Sequence, residues 1–309
     1  MNPFEREDRP IHLTVSVHSD PGRRRVENQD SYLVADLSRS AAEEGVLLSR
    51  AISTSERTQS GSFIVGPKGA LLLVADGMGG TKGGAIASRI AALTIHEEMV
   101  TRWCGDRNHS PRQFAARLLE AVEQSNARIL EEALRNPQYQ GMGTTATVVG
   151  VLDGFLYLGQ VGDSRAYLVR RGKAIQITRD QSLVQALVDS EVLTEEEAER
   201  SEQRNLVLQA LGAQPEVKID LTYQELRRGD VVLICSDGLS GLVPRDELAH
   251  TVAQSPDLTA VGGELIGLAN ERGGPDNITV LLAQVDGVGL DEPRDQDAVG
   301  RQVYTIPSY

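Results

Sequence analysis

Cysteine is scarce: Cys104 and Cys235 are the only two in 309 residues. That is too few for a disulfide framework, and no CxxC pair offers a structural zinc site. Long hydrophobic runs are absent too. The longest, Ala70 to Ala75 and Val231 to Cys235, fall far short of the roughly 20 residues that cross a bilayer. The start, Met1 to Pro10, is charged and lacks the apolar stretch of a secretion signal. Basic charge is in the minority, with Lys+Arg 31 against Asp+Glu 44 and a formal charge of −13. No basic face stands out to grip the phosphate backbone of nucleic acid. No repeat recurs at a solenoid period. These absences lead us to expect a cytoplasmic protein with neither a membrane nor a nucleic acid as partner.

What is present suits a soluble globular chain: 40% hydrophobic and 24% charged residues, enough for a sizeable core. Ile11, Leu13, Val15 and Val17 alternate with polar residues, the period of a half-buried strand. Ala70 to Ala75 is continuously apolar, as in a strand covered on both faces. A helix is expected from near Gly84, and a second is opened by Ser110 as cap and Pro111 at its first position. From Ala146 to Val169 the pattern reads as an antiparallel meander, with Asp153-Gly154 as one hairpin turn. Gln181 to Arg200 is expected to hold two short acidic helices, with a capping box at Thr194 and Glu197. Two more helices precede a last strand, Ile278 to Val285. Strands, helix pair, strands, helices describe an α+β layering. The expected organisation is a short extension over 1–10, a catalytic domain over 11–285 with a surface insertion at 38–62 and a flap at 180–211, and a flexible tail over 286–309.

The chemical signal lies in aspartates at strand ends. Asp76, Asp163 and Asp237 follow apolar strands, and Asp276 precedes one. Gathered carboxylates repel one another and lose hydration, so they must take up protons or a cation, and hard oxygen ligands suit Mg²⁺ or Mn²⁺. Two such ions about 3.5 to 4 Å apart could activate water and hold a phosphoryl oxygen. Asp-Gly is also ordinary turn chemistry, and Asp153 and Asp286 fit that plainer reading. Around Asp76, however, Gly79, Gly80, Gly83 and Gly84 exceed what a hairpin requires. Arg23, Arg24 and Arg25 precede Asn28-Gln29-Asp30, which sets a planar guanidinium fork suited to phosphate beside further oxygens.

Six segments, Arg25-Val-Glu-Asn-Gln-Asp30-Ser31, Val74-Ala-Asp-Gly-Met-Gly-Gly80, Gly141-Met-Gly-Thr-Thr-Ala146, Val161-Gly-Asp-Ser-Arg165, Cys235-Ser-Asp-Gly-Leu239 and Pro275-Asp-Asn277, resemble in order the motifs of metal-dependent phosphatases of the protein phosphatase 2C (PPM) family, bacterial type. Each alone is weak; six in family order are specific. The resemblance implies a central antiparallel β-sandwich flanked on both sides by pairs of helices. It implies hydrolysis of phosphoserine and phosphothreonine in proteins by water activated at a two-metal centre of Mn²⁺ or Mg²⁺, without a phosphoenzyme. By position, Asp76 would bridge both ions, the carbonyl of Gly77 would hold one, and Asp237 and Asp276 the other. Asp163 with Asp237 would bind a third, weaker ion. Arg25 would clamp the substrate phosphate, Asp30 would orient metal-bound water, and the flap would select substrates. The partners implied are phosphorylated proteins and an opposing serine/threonine kinase, met by a monomer.

Two positions depart from the pattern. Gln29 stands where many members carry glutamate, so a charged contact becomes neutral and the second ion is expected to bind more loosely. Met78 stands where eukaryotic members carry a histidine that protonates the leaving group. These departures are the support for a competing reading, a non-catalytic binding module of the same fold; the retained aspartates oppose it. Other chemistries find less. Neither cysteine begins a C-x₅-R loop, and the five histidines lie away from the aspartates. Asp295-Gln-Asp-Ala-Val299 has no strand before it, and Gly141-Met-Gly-Thr-Thr-Ala146 is followed by a strand where a dinucleotide fingerprint needs a helix.

Overall fold

The computed structural model describes residues 10–39, 45–52, 57–79, 83–107 and 109–305. In chain order the strands are β1 (Ile11–Asp20), β2 (Ser31–Asp36), β3 (Val46–Ser49), β4 (Thr58–Val65), β5 (Ala70–Ala75), β6 (Gly77–Met78), β7 (Gly143–Thr144), β8 (Ala146–Leu152), β9 (Phe155–Val161), β10 (Arg165–Arg170), β11 (Lys173–Gln176), β12 (Asp220–Glu225), β13 (Val231–Cys235), β14 (Ile278–Asp286) and β15 (Gln302–Val303). The helices are α1 (Gly83–Glu98), α2 (Pro111–Arg135), α3 (Leu183–Asp189), α4 (Glu195–Arg200), α5 (Asp237–Ser240), α6 (Arg245–Gln254) and α7 (Leu258–Glu271).

Two antiparallel sheets form a sandwich, six strands in the order β11-β10-β13-β14-β1-β4 and seven in the order β15-β12-β9-β8-β5-β2-β3. Side chains alternate across each pleat, so one strand feeds two cores. In β5, Ala70, Leu72 and Val74 point between the sheets, where they meet Leu13, Val15 and Val17 of β1. Leu71, Leu73 and Ala75 point outward beneath α1 and α2. On the other sheet, Leu233 and Cys235 of β13 face α6 and α7. Helix α2 offers Phe114, Leu118, Val122 and Ile129 as one fully buried stripe, and burying each such side chain contributes about 1.5–3 kcal/mol. Ser110 caps it by accepting from the Gln113 amide.

Two parts of the chain differ from expectation. Segment 38–62, expected as a surface insertion, carries β3 and most of β4, which extend both sheets at their edges; β4 pairs with β1 from Ile11↔Val65 to His18↔Thr58. Its Thr-Gln-Ser-Gly-Ser run has little apolar period because one face of an edge strand is wet. The described part of the expected tail is docked along the seven-stranded sheet. Asp297 pairs with Arg227, Gln302 and Val303 pair with β12, and Tyr304 packs its ring edge-on against Tyr157 and Tyr223. Residues 1–9 and 306–309, parts of the expected extension and tail, lie outside the described residues.

The flap region folds as two short helices, α3 and α4. A capping box between Thr194 and Glu197 starts the second.

Candidate active site

Each aspartate reaches the site because a buried strand runs out beneath it. β5 ends at Asp76, β9 leads through Gly162 to Asp163, β13 leads through Ser236 to Asp237, and Asp276 enters β14. Asp30 immediately precedes β2 and is 1% exposed. The sheets deliver these ends to one edge of the sandwich, where the carboxylates sense one another. Asp76 feels Asp30, Asp237, Asp163 and Asp276, and it shares a hydrogen bond with Asp237.

The backbone there leaves little freedom. A Cβ on Gly77 would fall 2.1 Å from the Gly84 carbonyl oxygen, and one on Gly238 would fall 1.9 Å from that of Asn277. The Asp76 amide donates to Thr145 Oγ1 at 2.9 Å, and its carbonyl accepts from the Thr145 amide and from Thr144 Oγ1. Asp30 is fixed through Oδ2, which accepts from Ser236 Oγ at 2.8 Å and Thr279 Oγ1 at 2.6 Å.

Burial, more than any single neighbour, shifts these carboxyls toward the protonated form. It pushes Asp30 up to about 6 against the pull of the Thr279 and Ser236 hydroxyls. Asp163 is pushed up to about 8 by burial and by the charges of Asp237 and Asp180, with Arg165 opposing. Asp76 is raised well above the carboxylate range by burial and then by its four carboxylate neighbours. Asp237 is raised by burial and by Asp276, and restrained by its bond to Asp76. Arg25 also reaches this edge, its Nη2 lying 2.8 Å from Asp276 Oδ2 with more than half of its side chain exposed. That contact stabilises its charge.

This donor set fits a hard divalent cation. It is all oxygen, it is crowded with like charge, and Asp30 Oδ1 and Asp237 Oδ1 are buried with no hydrogen-bond partner. Among the described residues, no group of three or more His, Cys, Asp or Glu side chains closes around a single point; the carboxylates are spread along the edge, with Arg25 drawn onto Asp276.

The sequence assigned no role to several supporting residues that lie within or beside its motifs. Asn277 accepts from the Gln29 amide and donates to the carbonyls of Pro21 and Glu27, so it ties the Arg25 loop to the strand entry beside Asp276. Arg165 forms a two-pronged pair with Asp180 at 2.7 and 2.9 Å. Ser236 and Thr279 are hydroxyls in otherwise apolar strand context, a signal that could have marked them. Gln29 sets its side-chain oxygen against the start of α1, 2.6 Å from where a Gly84 Cβ would lie. Met78 is half-buried in β6, which pairs with β7.

With this geometry in hand, likeness to known proteins is informative. A family model described as Protein phosphatase 2C matches residues 55–279, and this chain belongs to that family. Serine/threonine protein phosphatase PstP of Mycobacterium tuberculosis is 40% identical over 215 residues, 70% of this chain and 40% of that protein. The chain thus spans well under half the length of this relative. Among solved structures, the S. agalactiae serine/threonine phosphatase superposes with a TM-score of 0.73 at 32% identity, covering 88% of this chain and 99% of that one. The catalytic domain of PstP in complex with two manganese ions gives 0.69 at 33% identity, covering 89% and 99%. The family match begins beyond Arg25 and Asp30, so their place in the site rests on the contacts above.

Among the described residues, no helix is long and apolar enough to cross a membrane.

Proposed function

We propose that this chain is a serine/threonine protein phosphatase that hydrolyses phosphoserine and phosphothreonine in proteins, by direct attack of water at a two-metal centre. The observation that carries the reading is the convergence of Asp30, Asp76, Asp163, Asp237 and Asp276 at one sheet edge beside the guanidinium of Arg25. In this reading Asp76, the Gly77 carbonyl, Asp237 and Asp276 would hold two ions, and Asp163 with Asp237 would hold a third. Bound Mn²⁺ or Mg²⁺ would supply Lewis acidity and a water acidic enough to attack near neutral pH.

The chain's own groups do the rest. Arg25 sits half exposed on Asp276; once that carboxylate is otherwise neutralised, the fork is free to grip two phosphate oxygens. Asp30 is locked through Oδ2, which leaves Oδ1 to accept a proton from the attacking water. Met78 has no proton to give, so the leaving oxygen must take one from water. The substrates are phosphorylated proteins, which presuppose an opposing kinase, and we infer a cytoplasmic monomer.

Phosphate release from a phosphothreonine peptide, measured with Mn²⁺, with EDTA and with Asp76→Asn, tests the reading. Turnover that needs both the metal and Asp76 is expected. Tight Mn²⁺ binding without turnover would favour the binding-module alternative.

A further inference from the structure

The flap and the Asp163 turn meet at one residue that the mechanism above does not use. Gln181, just before α3, makes four hydrogen bonds to three separate segments. Its amide donates to the Gly162 carbonyl at 2.9 Å, and its side-chain Oε1 accepts from the Gly162 amide at 2.9 Å. Its own carbonyl accepts from the Leu208 amide at 2.7 Å, at the far end of the flap. Its Nε2 donates to the Lys218 carbonyl at 3.1 Å. Gly162 is thereby held through both of its backbone groups by one glutamine, directly before Asp163.

The grip extends inward. Gly162 has φ of +96°, and a Cβ there would strike Thr145 Cγ2 at 2.6 Å, so the turn cannot relax by shifting toward Thr145. The next residue after Asp163, Ser164, bonds Thr145 Oγ1 at 2.8 Å, and Thr145 Oγ1 receives the Asp76 amide. On the flap side, Leu183 and Leu206 close a second rung at 2.8 Å, and Asp180 is clamped by Arg165. Hydrogen bonds, joined by the Gly162–Asp163–Ser164 backbone, therefore link both ends of the flap, through Gln181, to the turn carrying Asp163 and on to Asp76.

We propose that Gln181 is a positioning residue that latches the flap to the Asp163 turn, so that a cation taken up at the aspartates orders the flap, and the flap's position sets the aim of Asp163. Binding couplings are reciprocal, so the two effects must have the same size. The proposal rests on the phosphatase reading only for its functional consequence; the latch itself is a property of the fold.

Amide hydrogen exchange on the full chain tests it, with wild type, Gln181→Ala and Gln181→Glu compared with and without Mn²⁺. Gln181→Ala removes the side-chain acceptor while keeping the backbone bonds, and Gln181→Glu keeps an acceptor for the Gly162 amide but loses the donor to Lys218. Without metal, the Gly162 amide is expected to exchange about fivefold faster in Gln181→Ala, the effect of losing one ordinary hydrogen bond, and near the wild-type rate in Gln181→Glu. Added Mn²⁺ is expected to slow exchange over residues 183–208 in wild type and to leave them unchanged in Gln181→Ala. In turnover, Gln181→Ala is expected to raise KM for a phosphopeptide and to raise the Mn²⁺ concentration needed for half-maximal hydrolysis of a small aryl phosphate. The latch is overturned if Gly162 exchange is unaltered in Gln181→Ala, or if Mn²⁺ protects the flap equally in both proteins. A chain that neither binds Mn²⁺ nor hydrolyses phosphate would instead overturn the phosphatase reading, while the metal-free Gly162 comparison would still decide the latch.

Discussion

Burial and mutual repulsion raise the pKa of the carboxyls at the sheet edge. A carboxyl raised in the folded state contributes stability below its unfolded pKa, and that contribution is lost as pH rises through the folded value. For Asp30, at about 6, and Asp163, at about 8, the loss spans pH 4 to 8. A cation takes the carboxylate form and expels the proton, so its binding strengthens over the same window. The increase in melting temperature produced by Mn²⁺ is therefore expected to grow from pH 5.5 to pH 8. Calorimetric titration in buffers of different ionisation enthalpy is expected to show net proton release at pH 6. A Mn²⁺ shift that does not change with pH would mean that these groups are already ionised. Much of this was visible in the sequence: Asp76, Asp163 and Asp237 stood out because each follows a run too apolar to be a surface turn. Gln181 did not, and Asn277 stood out only as part of a motif and not for its bonds, because these bonds join positions 19 to 256 residues apart in the sequence, which no local spacing records.

At the scale of elements, the tight places are where strand meets helix. The first residues of α5 abut the segment entering β14, and Gly238 fills the gap: a Cβ there would lie 1.9 Å from the Asn277 carbonyl oxygen. Gly238→Ala must push that segment outward, with Asp276 on one side of it and the anchor of the Arg25 loop in it. Overpacking of this kind costs roughly 1–3 kcal/mol. Denaturant unfolding is expected to report that loss, with phosphatase activity falling further than stability because both Asp276 and Arg25 move. Gly267→Ala is the contrasting case. It lies within α7, a Cβ there meets nothing within 4 Å, and relief of helix-interior glycine is expected to stabilise by about 0.5–1 kcal/mol with activity unchanged. Equal effects of the two substitutions would show that the Gly238 contact relaxes freely. Elements were legible in proportion to their burial. β5 and β13 read clearly because both faces are covered. β4 is an uncharged edge strand with one wet face, and β15 is two exposed residues held by pairing with β12, so neither carries a hydrophobic period.

For the molecule as a whole, charge separates what the site wants from what the surface allows. The chain carries −13, yet the rim beside Asp276 holds Arg23, Arg24 and Arg25, while the flap opens α4 with exposed Glu195, Glu196 and Glu197. A phosphate group is drawn to the arginines at contact range. The flanking residues of a protein substrate meet the wider acidic field, which favours basic segments. That field is screened over about 30 Å at 0.01 M salt but about 3 Å at 1 M, so the two contributions come apart with ionic strength. Matched phosphothreonine peptides with lysine or glutamate flanks are expected to differ in kcat/KM at low salt in favour of lysine. The ratio is expected to fall toward unity as salt rises, mainly because KM for the lysine peptide increases. Replacing Glu195, Glu196 and Glu197 together by glutamine is expected to reduce the low-salt preference while leaving turnover of a small uncharged-flank ester unchanged. A preference for glutamate flanks, or a ratio indifferent to salt, would show that the arginine rim outweighs the rest of the surface and that selection lies in shape at the flap.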